Sequence, residues 1–126
     1  MIDQLGWHWV FDARADGALL SEESRLREVL ESLPGELGLR TVSPAQTFCH
    51  HDNGERSVAG IVLIAESHFS LHAFPDRALL HGDLFSCKPF DQDKARAILT
   101  RHFSITGWNE TVLDRGESQK QKLRAS

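Results

Sequence analysis

Two neighbouring β-strands are predicted by the segment Gly60-Ile-Val-Leu-Ile-Ala-Glu-Ser-His-Phe-Ser-Leu-His-Ala-Phe-Pro75. Its first part belongs to an apolar run, residues 58–65, that is short enough to be a buried strand rather than a helix. From Phe69 to Phe74 the side chains alternate, with Ser70 and His72 on the face opposite Phe69 and Leu71. The segment therefore predicts a strand pair that turns at Glu66-Ser67.

The remaining elements extend this pair into a sheet with two helices. We predict that Ser21 caps the first helix and that Pro34-Gly35 ends it, while Asp91 caps the second. An Asn53-Gly54 turn should join the second and third strands. The order β-α-β-β-β-β-α-β predicts an α+β fold, a two-layer sandwich in which an antiparallel sheet carries two helices on one face. The four other strands are expected at residues 6–11, 39–48, 79–87 and 104–113.

Composition restricts the function classes. The chain has 126 residues, 40% apolar and 25% charged, which is typical of one soluble globular domain. A net charge of -4 without a basic stripe argues against a nucleic-acid partner, and the sequence has no apolar run of membrane-spanning length. Two cysteines, Cys49 and Cys87, fit a reducing cytoplasm better than a disulfide scaffold. Residues 115–126 are predicted to be a disordered tail.

One face of the predicted sheet carries no helix. His68, Ser70 and His72 alternate along one strand and would line that face, together with Asp83 and Cys87 from a later strand. In a chain of this size a second copy can cover such a face, so a homodimer is expected. Cys49, His50, His51 and His81 match no standard zinc spacing, and we predict no metal site.

Three short motifs resemble one family. They are Glu66-Ser67-His68, the turn His72-Ala-Phe-Pro75, and Asp83-Leu-Phe-Ser-Cys87. Together with the opening Leu5-Gly-Trp-His, they resemble the short bacterial and archaeal type of S-adenosylmethionine decarboxylase proenzyme. The similarity extends over most of the chain up to the second helix.

The resemblance implies that the chain cuts itself. Ser67 would attack the carbonyl of Glu66, and elimination and hydrolysis would convert Ser67 into a pyruvoyl group. The products would be a β chain, residues 1–66, and an α chain, residues 67–126. His72 would be the processing base. The pyruvoyl group would hold the small-molecule substrate as a Schiff base, and Cys87 would return a proton to the substrate carbon. The family also implies a dimer whose active sites use residues of both copies.

Several positions depart from the family pattern. Ala59 stands where the family usually has a serine, although Ser57 lies on the same strand face. Asp76 replaces a glutamate that contacts ribose, and Phe48 is a candidate for the aromatic platform that stacks on adenine. We expect S-adenosylmethionine as the substrate. The alternatives are arginine or ornithine, which need a carboxylate at the far end of the pocket, and an unprocessed regulatory paralogue.

Overall fold

A computed structural model describes residues 6–116 of the chain. These residues form one six-stranded antiparallel sheet in the order β2-β3-β4-β5-β1-β6, with helices on one face. The predicted α+β sandwich is confirmed. The elements are β1 (Gly6–Arg14), α1 (Gly17–Leu20), α2 (Glu23–Glu36), β2 (Gln46–Asp52), β3 (Glu55–Ile64), β4 (Ser67–Phe74), a 3-10 helix (Pro75–Arg77), β5 (Leu79–Ser86), α3 (Gln92–Phe103) and β6 (Gly107–Arg115).

The core lies between the helices and one face of the sheet. Alternate residues of β1, β4 and β5 are buried, as period-two patterning requires, and they meet apolar stripes of α2 and α3. Gly60 permits the close approach of α2, because a Cβ atom there would lie 2.5 Å from a methyl carbon of Leu30. The largest fully buried side chains are Trp9, Phe11, Leu20, Leu26, Leu30, Leu33, Phe69, Leu71, Leu80, Leu84, Leu99 and Phe103.

The first long helix begins and ends later than predicted. Ser21 does not cap it: its hydroxyl donates to the carbonyl of Ala18, in the short helix α1, and Glu22 occupies the cap position of α2 without a side-chain bond. The predicted end at Pro34-Gly35 is also wrong by one residue, since α2 continues to Glu36. Gly38, with a φ of 80°, supplies the left-handed conformation that stops it.

The second strand is shorter than predicted at its start. It begins at Gln46 rather than near residue 39, because the segment with Pro44 runs outside the sheet apart from one bridge between Thr41 and Ile64. The Asn53-Gly54 turn and the Asp91 cap are confirmed by positive φ angles and by a bond from the amide of Lys94, respectively. The last strand extends to Arg115, so it includes the first residue of the predicted tail; residues 117–126 lie outside the described part.

Candidate active site

The turn between β3 and β4 places a strained residue directly before Ser67. Ile64 and Ser67 are paired across the hairpin, and only Ala65 and Glu66 connect them. Glu66 has a φ of 63°, in the left-handed region. A residue with a side chain pays roughly 1–2 kcal/mol for this conformation. The amide of Ala65 donates to the carbonyl of Arg40 at 2.9 Å and holds the turn in place. The strained conformation therefore belongs to Glu66, the residue that supplies the carbonyl of the Glu66–Ser67 bond.

Cys87 contacts both sides of that bond. Its backbone N–H donates to Oγ of Ser67 at 3.1 Å, and its thiol donates to the carbonyl oxygen of Glu66 at 3.2 Å. The first contact positions the hydroxyl. The second polarises the carbonyl carbon that this hydroxyl would attack, and it lies where negative charge would develop on oxygen. The structure thus brings together three of the predicted site residues: Glu66, Ser67 and Cys87.

The backbone around Cys87 is fixed by its neighbours. Ser86 is buried, its hydroxyl donates to the carbonyl of Lys88 at 2.6 Å, and it accepts from the Lys88 amide at 3.0 Å. The cleft above this turn has a volume of about 200 Å³. Two cationic residues, Arg40 and Lys88, and one acidic residue, Glu66, line it beside Ser67 and Cys87. The charged residues that line the cleft therefore carry a small excess of positive charge next to Ser67.

A second group of predicted residues lies in a row across the open face, by which we mean the sheet face without helices. Phe48 pairs with Ala59, Ala59 with His72, and His72 with His81, on β2 to β5. Phe48, Ala59 and His72 line a cavity of about 540 Å³. Phe48 is 65% exposed, so its ring is available to stack on a planar ligand.

One copy of the chain does not bring the two groups together. His72 lies five residues after Ser67 on β4, which corresponds to about 17 Å at roughly 3.3 Å per residue. Asp76 lies still further from Ser67, in the 3-10 helix that follows β4, where it is exposed. The cleft at Ser67 and the cavity at His72 are thus separate sites within a single protomer.

The centre of the open face carries a hydrogen-bonded network around Asp83. Burial raises the pKa of the Asp83 carboxyl, but hydrogen bonds from Ser70, His8 and His68 outweigh burial and lower its pKa overall. Nε2 of His8 lies 2.7 Å from Asp83, and Nε2 of His68 lies 3.1 Å from it. The predicted placement of His68, Ser70 and Asp83 on the open face is confirmed. The carboxylate is held ionised between two strands.

The same network includes a possible metal-ligand set, since atoms of His8, His68 and Asp83 lie within 4.8 Å of one another. The directions of the hydrogen bonds in this network are unfavourable for metal binding. Nη1 of Arg115 lies 3.1 Å from Nδ1 of His8, and a guanidinium only donates, so Nδ1 accepts and Nε2 carries the hydrogen. A metal needs the lone pair of Nε2. Hydrogen bonding to Asp83 satisfies that nitrogen instead.

Two features of the site escaped sequence reasoning. The contact between the Cys87 thiol and the Glu66 carbonyl depends on the register of β4 against β5, which pairs His68 with Phe85. The part played by His8 depends on β1 lying beside β5, a pairing between strands distant in sequence. Alternation along β1 places His8 on the open face, but it does not specify which strand lies next to it.

Comparisons with known proteins agree on one family. The family model described as S-adenosylmethionine decarboxylase matches residues 7–116. A protein of Archaeoglobus fulgidus named S-adenosylmethionine decarboxylase proenzyme is 34% identical over 100 residues, which cover 78% of this chain and 85% of that protein. A Pyrococcus furiosus protein of the same name is 28% identical over 118 residues, 91% of this chain and 81% of its own.

A solved structure has the same fold. The adenosylmethionine decarboxylase of Aquifex aeolicus superimposes with a TM-score of 0.72 at 23% sequence identity, covering 92% of this chain and 94% of that one.

Proposed function

Because this chain belongs to the S-adenosylmethionine decarboxylase family, we propose that it cleaves itself at Glu66–Ser67 and then decarboxylates S-adenosylmethionine. The observation that carries the proposal is the position of Cys87, whose amide holds the Ser67 hydroxyl while its thiol polarises the Glu66 carbonyl. A serine beside a polarised carbonyl, on a strained backbone, is suited to attack on its own chain.

The cleavage proceeds through an ester. Oγ of Ser67 attacks the carbonyl carbon of Glu66, the thiol of Cys87 stabilises the oxyanion, and the C–N bond breaks to leave an ester. Loss of the α-proton of residue 67 expels the Glu66 carboxylate and leaves dehydroalanine. Its hydrolysis releases ammonia and gives a pyruvoyl group at the start of the fragment 67–126, while the fragment 1–66 ends at Glu66.

The residues of the cleft then act on the substrate. A pyruvoyl group supplies a carbonyl that withdraws electrons from a bound amino acid as carbon dioxide leaves. Arg40 and Lys88 attract the substrate carboxylate to the cleft, and the Cys87 thiol lies close enough to return a proton to the substrate carbon. The Phe48 ring offers a platform for the purine and the positive sulfonium.

The functional unit is a homodimer joined through the open face. His72 cannot reach Ser67 of its own chain, whereas a two-fold axis through the open face can place it beside Ser67 of the partner subunit. This face also exposes large apolar side chains that a second copy would cover: Val10, Phe48, Ile61, Leu63 and Leu113.

The protein acts in the cytoplasm on a small soluble substrate. No helix within residues 6–116 has the length and apolar character needed to cross a bilayer.

Intact-mass measurement and a carbon dioxide assay test the proposal. Purified protein should contain two fragments that meet at the Glu66–Ser67 bond, and it should release carbon dioxide from S-adenosylmethionine. Carbon dioxide release from arginine or ornithine, but not from S-adenosylmethionine, would change the proposed substrate. The proposed decarboxylation chemistry would remain. A full-length chain without any turnover would contradict the proposal and favour an unprocessed regulatory paralogue.

A further inference from the structure

A carboxylate–imidazole pair lies directly beside His72 on the open face. His81 on β5 is the residue opposite His72 on β4. The Cβ atoms of such cross-strand pairs lie about 4.5–5.5 Å apart. On its other side, Nδ1 of His81 lies 2.6 Å from Oδ1 of Asp12 on β1. The ring of Phe74 meets His81 edge-on, with centroids 5.5 Å apart. His72 therefore has an imidazole neighbour that is itself held by two contacts.

The hydrogen bond between Asp12 and His81 sets the tautomer of His81. An ionised carboxylate only accepts, so Nδ1 of His81 carries the hydrogen and Nε2 presents a lone pair. A carboxylate that orients an imidazole in this way also stabilises the imidazolium that forms when the ring takes a proton. His81 is therefore prepared to accept a proton at Nε2.

Position 59 leaves His81 without a competitor for this task. The two residues directly opposite His72 are Ala59 on β3 and His81 on β5. Alanine has no polar group that could accept or donate a proton. Of these two neighbours, only His81 can exchange a proton with His72.

We propose that the Asp12–His81 pair is a positioning and proton-holding partner of His72 during self-cleavage. The inference rests on the proposed function, in which His72 serves Ser67 of the partner subunit. His81 does not itself contact the scissile bond.

The proton transfers during self-cleavage need no reactant other than these residues. As the bond from Oγ of residue 67 to the Glu66 carbonyl carbon forms, His72 removes the hydroxyl proton and passes it to Nε2 of His81. The imidazolium of His81 is stabilised by the Asp12 carboxylate. When the carbonyl carbon–nitrogen bond breaks, the proton returns through His72 to the nitrogen of residue 67. Nothing is oxidised or reduced, and both histidines regain their starting state.

Cleavage kinetics of newly refolded full-length chain test the inference. The chain is purified in denaturant before it is cut, refolded between pH 5 and 9, and followed by denaturing gel and intact mass. His81→Gln should slow cleavage by roughly 10- to 100-fold, which is less than the roughly 100- to 10,000-fold contributed by a side chain that transfers the reacting proton directly. Its rate profile should also change shape between pH 5 and 8, where imidazoles titrate. The titratable and charged groups around His81 on this face are Asp12 and Arg14 on β1, His72 on β4 and Asp83 on β5.

Two further variants separate a proton role from a structural one. Asp12→Asn should slow cleavage in the same direction while leaving the imidazole in place. Ala59→Ser added to His81→Gln should restore at least part of the lost rate, because it supplies a hydroxyl on the other side of His72. His102→Gln, on helix α3 away from the open face, is the matched control and should cleave like the unchanged chain.

The outcomes distinguish a failure of this inference from a failure of the proposed function. If the unchanged chain is cut and His81→Gln is cut equally fast with the same pH profile, the inference is wrong and the proposed function stands. A rate lowered equally at all pH values, without rescue by Ala59→Ser, would also overturn it by showing a structural role. If the unchanged chain stays whole, the proposed function fails, and the inference fails with it.

Discussion

Replacement of Cys87 by alanine should slow self-cleavage without abolishing it. The substitution removes the thiol that donates to the Glu66 carbonyl at 3.2 Å but keeps the amide that positions the Ser67 hydroxyl. Loss of one oxyanion donor from a preorganised site costs about 100- to 1,000-fold in rate. A thiol is a weaker donor than an amide, and the strain at Glu66 remains, so we expect a decrease of roughly 10- to 100-fold.

The assay follows the full-length band of refolded chain on denaturing gels. Cys87→Ser is the matched control, because a hydroxyl can still donate to the carbonyl but is a much weaker acid than a thiol. It should cleave faster than Cys87→Ala and yet decarboxylate poorly once cut. Cleavage of Cys87→Ala at the unchanged rate would refute the reasoning, since the thiol would then contribute nothing to the oxyanion.

Three other predictions follow from the described contacts. Ser67→Ala should leave the chain uncut in intact-mass spectra, and a cut at residue 66 in this variant would rule out the serine as nucleophile. Phe48→Ala should raise KM for S-adenosylmethionine by roughly 5- to 150-fold, since stacking on a base is worth roughly 1–3 kcal/mol, with little change in self-cleavage; an unchanged KM would exclude Phe48 as the platform. Because the folded state lowers the pKa of Asp83, the ionised carboxylate stabilises the fold at pH values above its ordinary pKa near 4. This stabilisation is lost as the pH falls through the lowered pKa. The thermal midpoints of the unchanged chain and of Asp83→Asn should therefore converge below about pH 4, and a constant difference would contradict the assignment.

Local patterns accounted for most of the elements because several strands and the two long helices have a clear period in this sequence. The alternation from Phe69 to Phe74 and the Asn53-Gly54 turn needed no knowledge of distant residues. The predicted bounds were wrong where two sequence signals competed for the same residues. Ser21 is a good helix cap, but Asp16 upstream starts a separate short helix that uses the Ser21 region as its end.

The site was only partly predictable for a related physical reason. The family resemblance suggested Ser67, His72 and Cys87 as site residues, but it could not show that the thiol of Cys87 meets the Glu66 carbonyl, which depends on strand register. Nor could spacing reveal the bond between Asp12 and His81, which are 69 residues apart and meet only because β1 lies beside β5.

The strand order has a consequence for the proposed cut at the Glu66–Ser67 bond. The part before residue 67 supplies β1, β2 and β3, and the part after it supplies β4, β5 and β6. In the sheet, β1 of the first part lies between β5 and β6 of the second, while β3 borders β4. Strands of the two fragments are therefore neighbours at three borders in the sheet. Cutting the peptide bond removes none of the hydrogen bonds between these strands. The two fragments should therefore stay together without a covalent connection, because β1 keeps its hydrogen bonds to β5 and β6.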